Sequence, residues 1–239
     1  WIYRSTDGKN FKVYDTVTST SYTNTGAVIG TTYYYKVKAV KVVDGKNVSS
    51  ADSVTKSIRC NPAAPTVSIS RVNGKAKLSW KAVSGATKYW VYRSTDGKNF
   101  SVYTTVTGTS YTNSGAASGT KYYYKVKAVA VVNGVNVASA SSSVKSMITT
   151  LAKPTVKITT SNGKPRITWG AVKGADKYYI YRSTDGKNFS YYDATTSTSY
   201  TNTGAKKNTK YYYKVRAVCN ANSNANSAQS TAVSVKATK

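Results

Sequence analysis

The chain has no histidine with which to act as a base, and every one of its 8 acidic residues is an aspartate. General acid–base chemistry near neutral pH relies on His or on carboxylates whose pKa values are driven apart, and metal centres rely on His, Cys and carboxylate clusters. Two cysteines add little to that stock. Cys60 and Cys219 lie at different positions of the repeat described below, and a disulfide needs Cα atoms within ~7 Å. Two free, packed thiols are expected, with an intermolecular crosslink as the alternative. Asp7, Asp96 and Asp185 each stand alone in a copy of Ser-Thr-Asp-Gly-Lys-Asn. Calcium takes about six to eight oxygens, so one carboxylate per turn holds no cation. No catalytic residue, cofactor or metal is expected. The residue types do supply stacking and anion binding, with 22 Tyr and 4 Trp beside 35 Lys and Arg and a net charge of +27.

These residues recur in register. Tyr-Arg-Ser-Thr-Asp-Gly-Lys-Asn-Phe occurs at Tyr3–Phe11, Tyr92–Phe100 and Tyr181–Phe189, Ser-Tyr-Thr-Asn begins at Ser21, Ser110 and Ser199, and a tyrosine triplet begins at Tyr33, Tyr122 and Tyr211. A spacing of 89 residues exceeds the ~20–50 of solenoid and propeller repeats and suits a small self-contained β domain. The triple turn is similar to the Asp-box of sialidase-like propellers, but that motif has an extra residue between Asp and Gly, and a propeller needs a shorter period. The repeat divides the 239 residues into units at 1–60, 61–150 and 151–239. Pro65 and Pro154 lie between units in short, stiff linkers, which predicts a rod. Little Leu and much Val, Thr, Tyr, Ser and Gly predict an all-β chain. In the middle unit, alternation and turn residues predict seven strands: Thr66–Ser70, Lys75–Trp80, Lys88–Arg93, Phe100–Val106, Ser110–Thr112, Lys121–Val132 and Val135–Val144. Asp96-Gly97 is expected to close a type I′ or bulged hairpin, with Phe100 anchoring the returning strand.

Trp80 on the second strand, Tyr89-Trp90-Val91-Tyr92 on the third, and Gly119-Thr120-Lys121-Tyr122 running on to Val126-Lys127-Ala128 resemble a fibronectin type III domain. The resemblance covers the whole chain and implies tandem seven-stranded immunoglobulin-like sandwiches, with Tyr33, Tyr122 and Tyr211 as corner tyrosines. Unit one departs from it, lacking the residues that carry the first two strands (65–89 in unit two) and any counterpart of Trp80 and Trp169. It is expected to be an incomplete module, strands C to G only. Either it belongs to a longer parent array or it receives strands from a neighbour.

The resemblance makes strands C and F adjacent. With Tyr122, Tyr124, Val126 and Ala128 inward, alternation turns Trp90, Tyr92, Tyr123, Lys125 and Lys127 outward onto one patch. The equivalent patches are Trp1, Tyr3, Tyr34, Lys36, Lys38 and Tyr179, Tyr181, Tyr212, Lys214, Arg216. Rings beside cations stack on sugars and hold anionic groups; they also shield a sheet, with lysine stems lying over them, whether or not anything binds. Basic against acidic residues number 9 to 4, 11 to 1 and 15 to 3 along the three units. Such a field draws polyanions, so cell-wall polyanions or glycans are the expected partners. No nucleic-acid motif is present, and the basic residues are spread rather than clustered. The F–G turns carry no Arg-Gly-Asp.

The chain opens with Trp-Ile-Tyr-Arg and has no run of 18 apolar residues, so neither a signal peptide nor a transmembrane segment is expected in it. The resulting expectation is a non-catalytic array, secreted or on the cell surface, that sets distance and binds anionic or glycan surfaces. An adhesin stalk or self-assembling fibre, and the accessory modules of a secreted glycan-active enzyme, are the alternatives.

Overall fold

The computed structural model describes residues 1–239, and its regular structure is antiparallel strand apart from one 3-10 turn at Ser223–Ala225. The first repeat contains β1 (Ile2–Ser5), β2 (Lys12–Asp15), β3 (Thr32–Val37), β4 (Val40–Val43), β5 (Lys46–Ser49) and β6 (Lys56–Arg59). The second contains β7 (Val67–Val72), β8 (Lys75–Trp80), β9 (Lys88–Ser94), β10 (Ser101–Val106), β11 (Ser110–Thr112), β12 (Lys121–Val132), β13 (Val135–Ala138) and β14 (Lys145–Ile148). The third contains β15 (Val156–Ser161), β16 (Lys164–Trp169), β17 (Lys177–Ser183), β18 (Ser190–Thr195), β19 (Ser199–Thr201), β20 (Lys210–Val218) and β21 (Val233–Lys236). No helix is long and apolar enough to cross a membrane.

In the second repeat one sheet runs β11-β8-β7 and the other β10-β9-β12, with β13 and β14 both on the free side of β12. The third repeats this as β15-β16-β19 and β18-β17-β20-β21. Period-two alternation builds each core. Ala76, Leu78 and Trp80 of β8 meet Tyr89, Val91, Tyr122, Tyr124, Val126 and Ala128 in one buried cluster, and Ile167, Trp169, Tyr178, Ile180, Tyr211, Tyr213 and Val215 form its counterpart. Each fully buried large side chain contributes roughly 1.5–3 kcal/mol. The tyrosine hydroxyls are anchored as well. Tyr122 accepts from the Ala117 amide at 3.2 Å and Tyr211 from the Lys206 amide at 2.9 Å, while the buried Asn113 donates to the Tyr124 hydroxyl at 2.9 Å.

Two local expectations are narrowed or corrected. Of the two turns expected at Asp96-Gly97, the I′ form is ruled out, because φ is positive at Gly97 but not at Asp96; the chain makes a longer turn with Gly97 alone left-handed, and the β9–β10 register shifts at Val102/Thr104. True I′ geometry, positive at both central residues, belongs to Asp44-Gly45, Asn73-Gly74, Asn133-Gly134 and Asn162-Gly163. The last strand of the second repeat is also not continuous over Val135–Val144 but is split into β13 and β14, giving eight strands where seven are expected. Ser139 and Ser142 cause the split. Their amides donate to the Ala128 and Val126 carbonyls, and their hydroxyls accept from the Ala128 and Val126 amides at 3.0 Å, so side chains replace two rungs of the ladder.

The first repeat is a single sheet, β2-β1-β3-β6, beside the hairpin β4-β5. Residues 21–23, the counterpart of β11 and β19, form no strand there, because no equivalent of β8 is present to pair with them. Val37 is 46% exposed where Val126 and Val215 are fully buried. An open cleft of roughly 1490 Å³ lies over this face, lined among others by Ile2, Tyr22, Tyr33, Tyr35, Val37 and Ile58.

Successive repeats touch through loops. Gly30 of the first lies against the Val132 side chain of the second, where a Cβ would meet it at 3.3 Å, and Gly119 of the second lies against Asn222 and Ala225 of the third. Leu151 joins the core of the third repeat, and its amide donates to the Ala225 carbonyl at 2.6 Å.

Candidate functional site

The outer face of the β9–β12 sheet is a ladder of ring and cation. Register sets Trp90 opposite Lys127 and Tyr92 opposite Lys125. The third repeat pairs Tyr179 with Arg216 and Tyr181 with Lys214, and the first pairs Tyr3 with Lys36. Trp1 adjoins Lys38 through a backbone hydrogen bond of 3.1 Å. All fifteen sequence-predicted residues are half-buried, since each ring or stem covers its neighbour. Lys127 Nζ lies 5.8 Å from the Tyr92 ring, and Lys38 Nζ lies 5.6 Å from the Tyr3 ring. Cations held over ring faces are attracted by the ring quadrupole while their ammonium heads stay near water.

Tyr34, Tyr123 and Tyr212 are tied to the turn as much as to the face. Each ring packs over the glycine of the Asp-Gly step, where a Cβ at Gly97 would meet Tyr123 at 3.1 Å and one at Gly186 would meet Tyr212 at 2.9 Å. The turn beneath is organised by its carboxylate. Asp96 accepts from the Ser94 hydroxyl at 2.6 Å, the Lys98 and Asn99 amides at 2.8 Å and the Asn99 side-chain amide at 2.7 Å. Asp7 and Asp185 repeat the set. These donors, the serine hydroxyl foremost, hold all three carboxyls well below the usual carboxylate range. With both oxygens committed, the aspartates act as turn organisers rather than ligands. Inside the sandwich, burial pushes the Tyr213 hydroxyl up to about 12.

Three features of the face escape the sequence. Phe11, Phe100 and Phe189 do more than anchor a strand, because Lys36, Lys125 and Lys214 place Nζ at 4.4, 3.9 and 4.0 Å from their rings. Tyr191 extends the third patch, edge-on to Tyr179 at 5.3 Å and to Tyr181 at 6.3 Å. The third feature is Asp52, whose carboxylate bridges Lys36 and Lys38, each at 3.3 Å. Lys36, with Lys38 behind it, holds the Asp52 carboxyl below its ordinary value. The phenylalanine contact was accessible from the 89-residue register once β10 was placed beside β9, whereas the Asp52 bridge depends on the break in the last strand.

Together the strand orders, inward tryptophans and corner tyrosines define tandem immunoglobulin-like β-sandwiches with a basic, aromatic outer face. The fold is that of fibronectin type III-like sandwiches, two-sheeted in the second and third repeats and one-sheeted in the first. No family model matches the chain. Over 92% of its length it is 31% identical to Exoglucanase B of Cellulomonas fimi, of which it spans 21%. Over 54% of its length it is 36% identical to Chitinase A1 of Niallia circulans, of which it spans 19%. Among solved structures, a two-domain fibronectin type III segment of chicken tenascin aligns with 74% of this chain and 99% of its own, at 15% identity and a TM-score of 0.42. The chain thus spans about a fifth of the length of these curated relatives, and their enzymatic names describe chains that lie mostly outside the match.

Proposed function

We propose that the chain forms accessory modules of a secreted bacterial glycan-active enzyme, with boundaries near 60/61 and 150/151, which space the parent's other domains and hold an anionic or glycan surface. One observation carries this reading: the chain resembles segments of two enzymes whose names denote different polysaccharides, a glucan and chitin, so what it shares with both is not an active site. The basic aromatic face supplies the adhesive part. Rings stack on sugar faces, cations hold acidic groups, and repetition raises avidity without new contacts.

Retention of the 239-residue chain on insoluble cellulose, chitin, starch and crosslinked polygalacturonate tests it, at low salt and at about 1 M NaCl, where the screening length falls to ~3 Å. Retention on at least one polysaccharide is expected to survive salt and to fall in the triple variant Trp90→Ala/Tyr92→Ala/Tyr179→Ala. Binding that vanishes with salt on every matrix would leave only a diffuse field and sink the adhesive reading.

A second reading, self-association into a stalk or fibre, is favoured by the uncovered apolar face of the first repeat. Light scattering behind size exclusion decides it, because a monomer at every concentration excludes assembly.

A further inference from the structure

The first repeat holds within itself the complex that the other two leave open. Asp52 lies where Lys36 and Lys38 converge, one ammonium on each carboxylate oxygen, beside the Phe11 and Tyr3 rings. Its position is fixed by the next residue. The Ser53 amide donates to the Val37 carbonyl at 3.0 Å, and the Ser53 hydroxyl accepts from the Val37 amide at 2.9 Å. The same two bonds join Ser142 to Val126 and Ser230 to Val215, with lengths between 2.8 and 3.0 Å. The residue before each serine is therefore placed alike in all three repeats: Asp52, Ser141 and Gln229. Around it the cations are also alike, Lys125 and Lys127 in the second repeat and Lys214 and Arg216 in the third. The rings persist too, with Lys125 and Lys214 on Phe100 and Phe189. The carboxylate is missing from both, and in the third repeat Arg216 Nε donates to the Ser227 carbonyl at 2.8 Å, leaving its terminal nitrogens for a ligand. Both ion pairs of the chain are made by Asp52, so the cations of the second and third faces have no internal counter-ion.

We infer that the Lys125–Lys127 and Lys214–Arg216 pairs each bind the carboxylate of an acidic sugar, in the place Asp52 takes in the first repeat, with the adjoining rings against the sugar. The inference rests on the glycan-binding reading above and narrows it to uronic-acid chemistry on two of the three faces. Two cationic groups, a pair of ammoniums in the second repeat and an ammonium with a guanidinium in the third, sharing one carboxylate give charge-assisted hydrogen bonds, roughly twice as strong as neutral ones. In the first repeat Asp52 is held beside the same donors and competes for them intramolecularly, so that face binds acidic sugars more weakly than the other two.

The test installs the missing carboxylate without touching a ring or a cation. Trigalacturonic acid and neutral cellotriose are titrated into the full chain, followed by amide NMR shifts and calorimetry. Wild type is expected to bind trigalacturonic acid, with shifts at Lys125, Lys127, Lys214 and Arg216 and weaker ones at Lys36 and Lys38. Ser141→Asp/Gln229→Asp is expected to weaken binding about tenfold or more, consistent with loss of a close charge pair. Ser70→Asp/Thr159→Asp, which adds the same charge on the exposed outer side of β7 and β15, should change it less than about twofold. Asp52→Ser should strengthen the third site, seen as larger shifts at Lys36 and Lys38. Equal loss in both double variants, undiminished binding in Ser141→Asp/Gln229→Asp, or silence of the Asp52→Ser face would overturn the inference. Binding of cellotriose with trigalacturonic acid silent would overturn it while leaving polysaccharide retention standing. Silence toward both sugars, with no salt-resistant retention on the matrices, would remove both.

Discussion

At the scale of single residues, the Asp-Gly turns couple the stability of the chain to pH. Each carboxylate of Asp7, Asp96 and Asp185 accepts from two backbone amides, a serine hydroxyl and an asparagine side chain, and each is held well below the ordinary carboxylate pKa of ~3.9. A group whose folded pKa is depressed contributes stability above its unfolded pKa and loses that contribution as pH falls through the folded value. Thermal melting should accordingly change little from neutrality down to about pH 5 and fall progressively below ~4. Asp96→Asn/Asp185→Asn should melt lower at neutral pH and show a shallower acid slope. A double variant with the wild-type slope would place the pH dependence elsewhere. The turn also supports the outer aromatic face, because the Tyr123 and Tyr212 rings rest on Gly97 and Gly186.

At the scale of elements, the paired serines of the broken strand deserve the same treatment as core residues. Ser142→Ala leaves the buried Val126 amide without its acceptor, which should lower unfolding free energy by roughly 1–3 kcal/mol in urea denaturation. Ser142→Thr, which keeps a hydroxyl, should recover much of it. The resemblance carried the sandwich, and alternation in β12 named inward residues and turned the rings and cations of β9 and β12 outward, whereas the β8 residues Ala76 and Leu78 were not singled out. Neither carried the break after β13: the Ala-Ser run at 138–143 is poor in strand formers, but only three-dimensional placement opposite Val126 and Ala128 reveals serine hydroxyls accepting from their amides. Asp52 was obscured for the same reason, since its reach to Lys36 and Lys38 follows from where Ser53 is pinned. Within the 239 residues no counterpart of 65–89 precedes Trp1, and the face over Val37 and Ile58 is uncovered. Fusing a copy of residues 65–89 ahead of Trp1 supplies a first pair of strands. Amide exchange at Tyr33–Val37 should slow, residues 21–23 should pair as β11 does, and any self-association through this face should disappear. Unchanged exchange would show that the cleft does not accept the hairpin.

At the scale of the whole molecule, the proposed avidity depends on how firmly one aromatic face is held relative to the next. Leu151 is a linker residue by sequence yet lies in the core of the third repeat, 3% exposed, with its amide on the Ala225 carbonyl. The loop around Gly119 of the second repeat closes on Asn222 and Ala225 from the other side. Core and junction therefore share a side chain, so loosening one should loosen the other. Leu151→Ala removes a buried side chain at a cost of about 2–5 kcal/mol, and hydrogen exchange should locate that loss in the third repeat, leaving the β8–β9–β12 core of the second unchanged. Small-angle scattering should show a broader distribution of end-to-end distances. Avidity is the functional consequence: two faces at a fixed separation present a high effective concentration to an acidic chain long enough to reach both, and a mobile junction dilutes it. A long polygalacturonate should then lose affinity in Leu151→Ala while trigalacturonic acid, too short to bridge, binds as before. If scattering stays unchanged while stability falls, the Gly119–Asn222 loop contact sets the angle between repeats, and long and short ligands should then be affected alike.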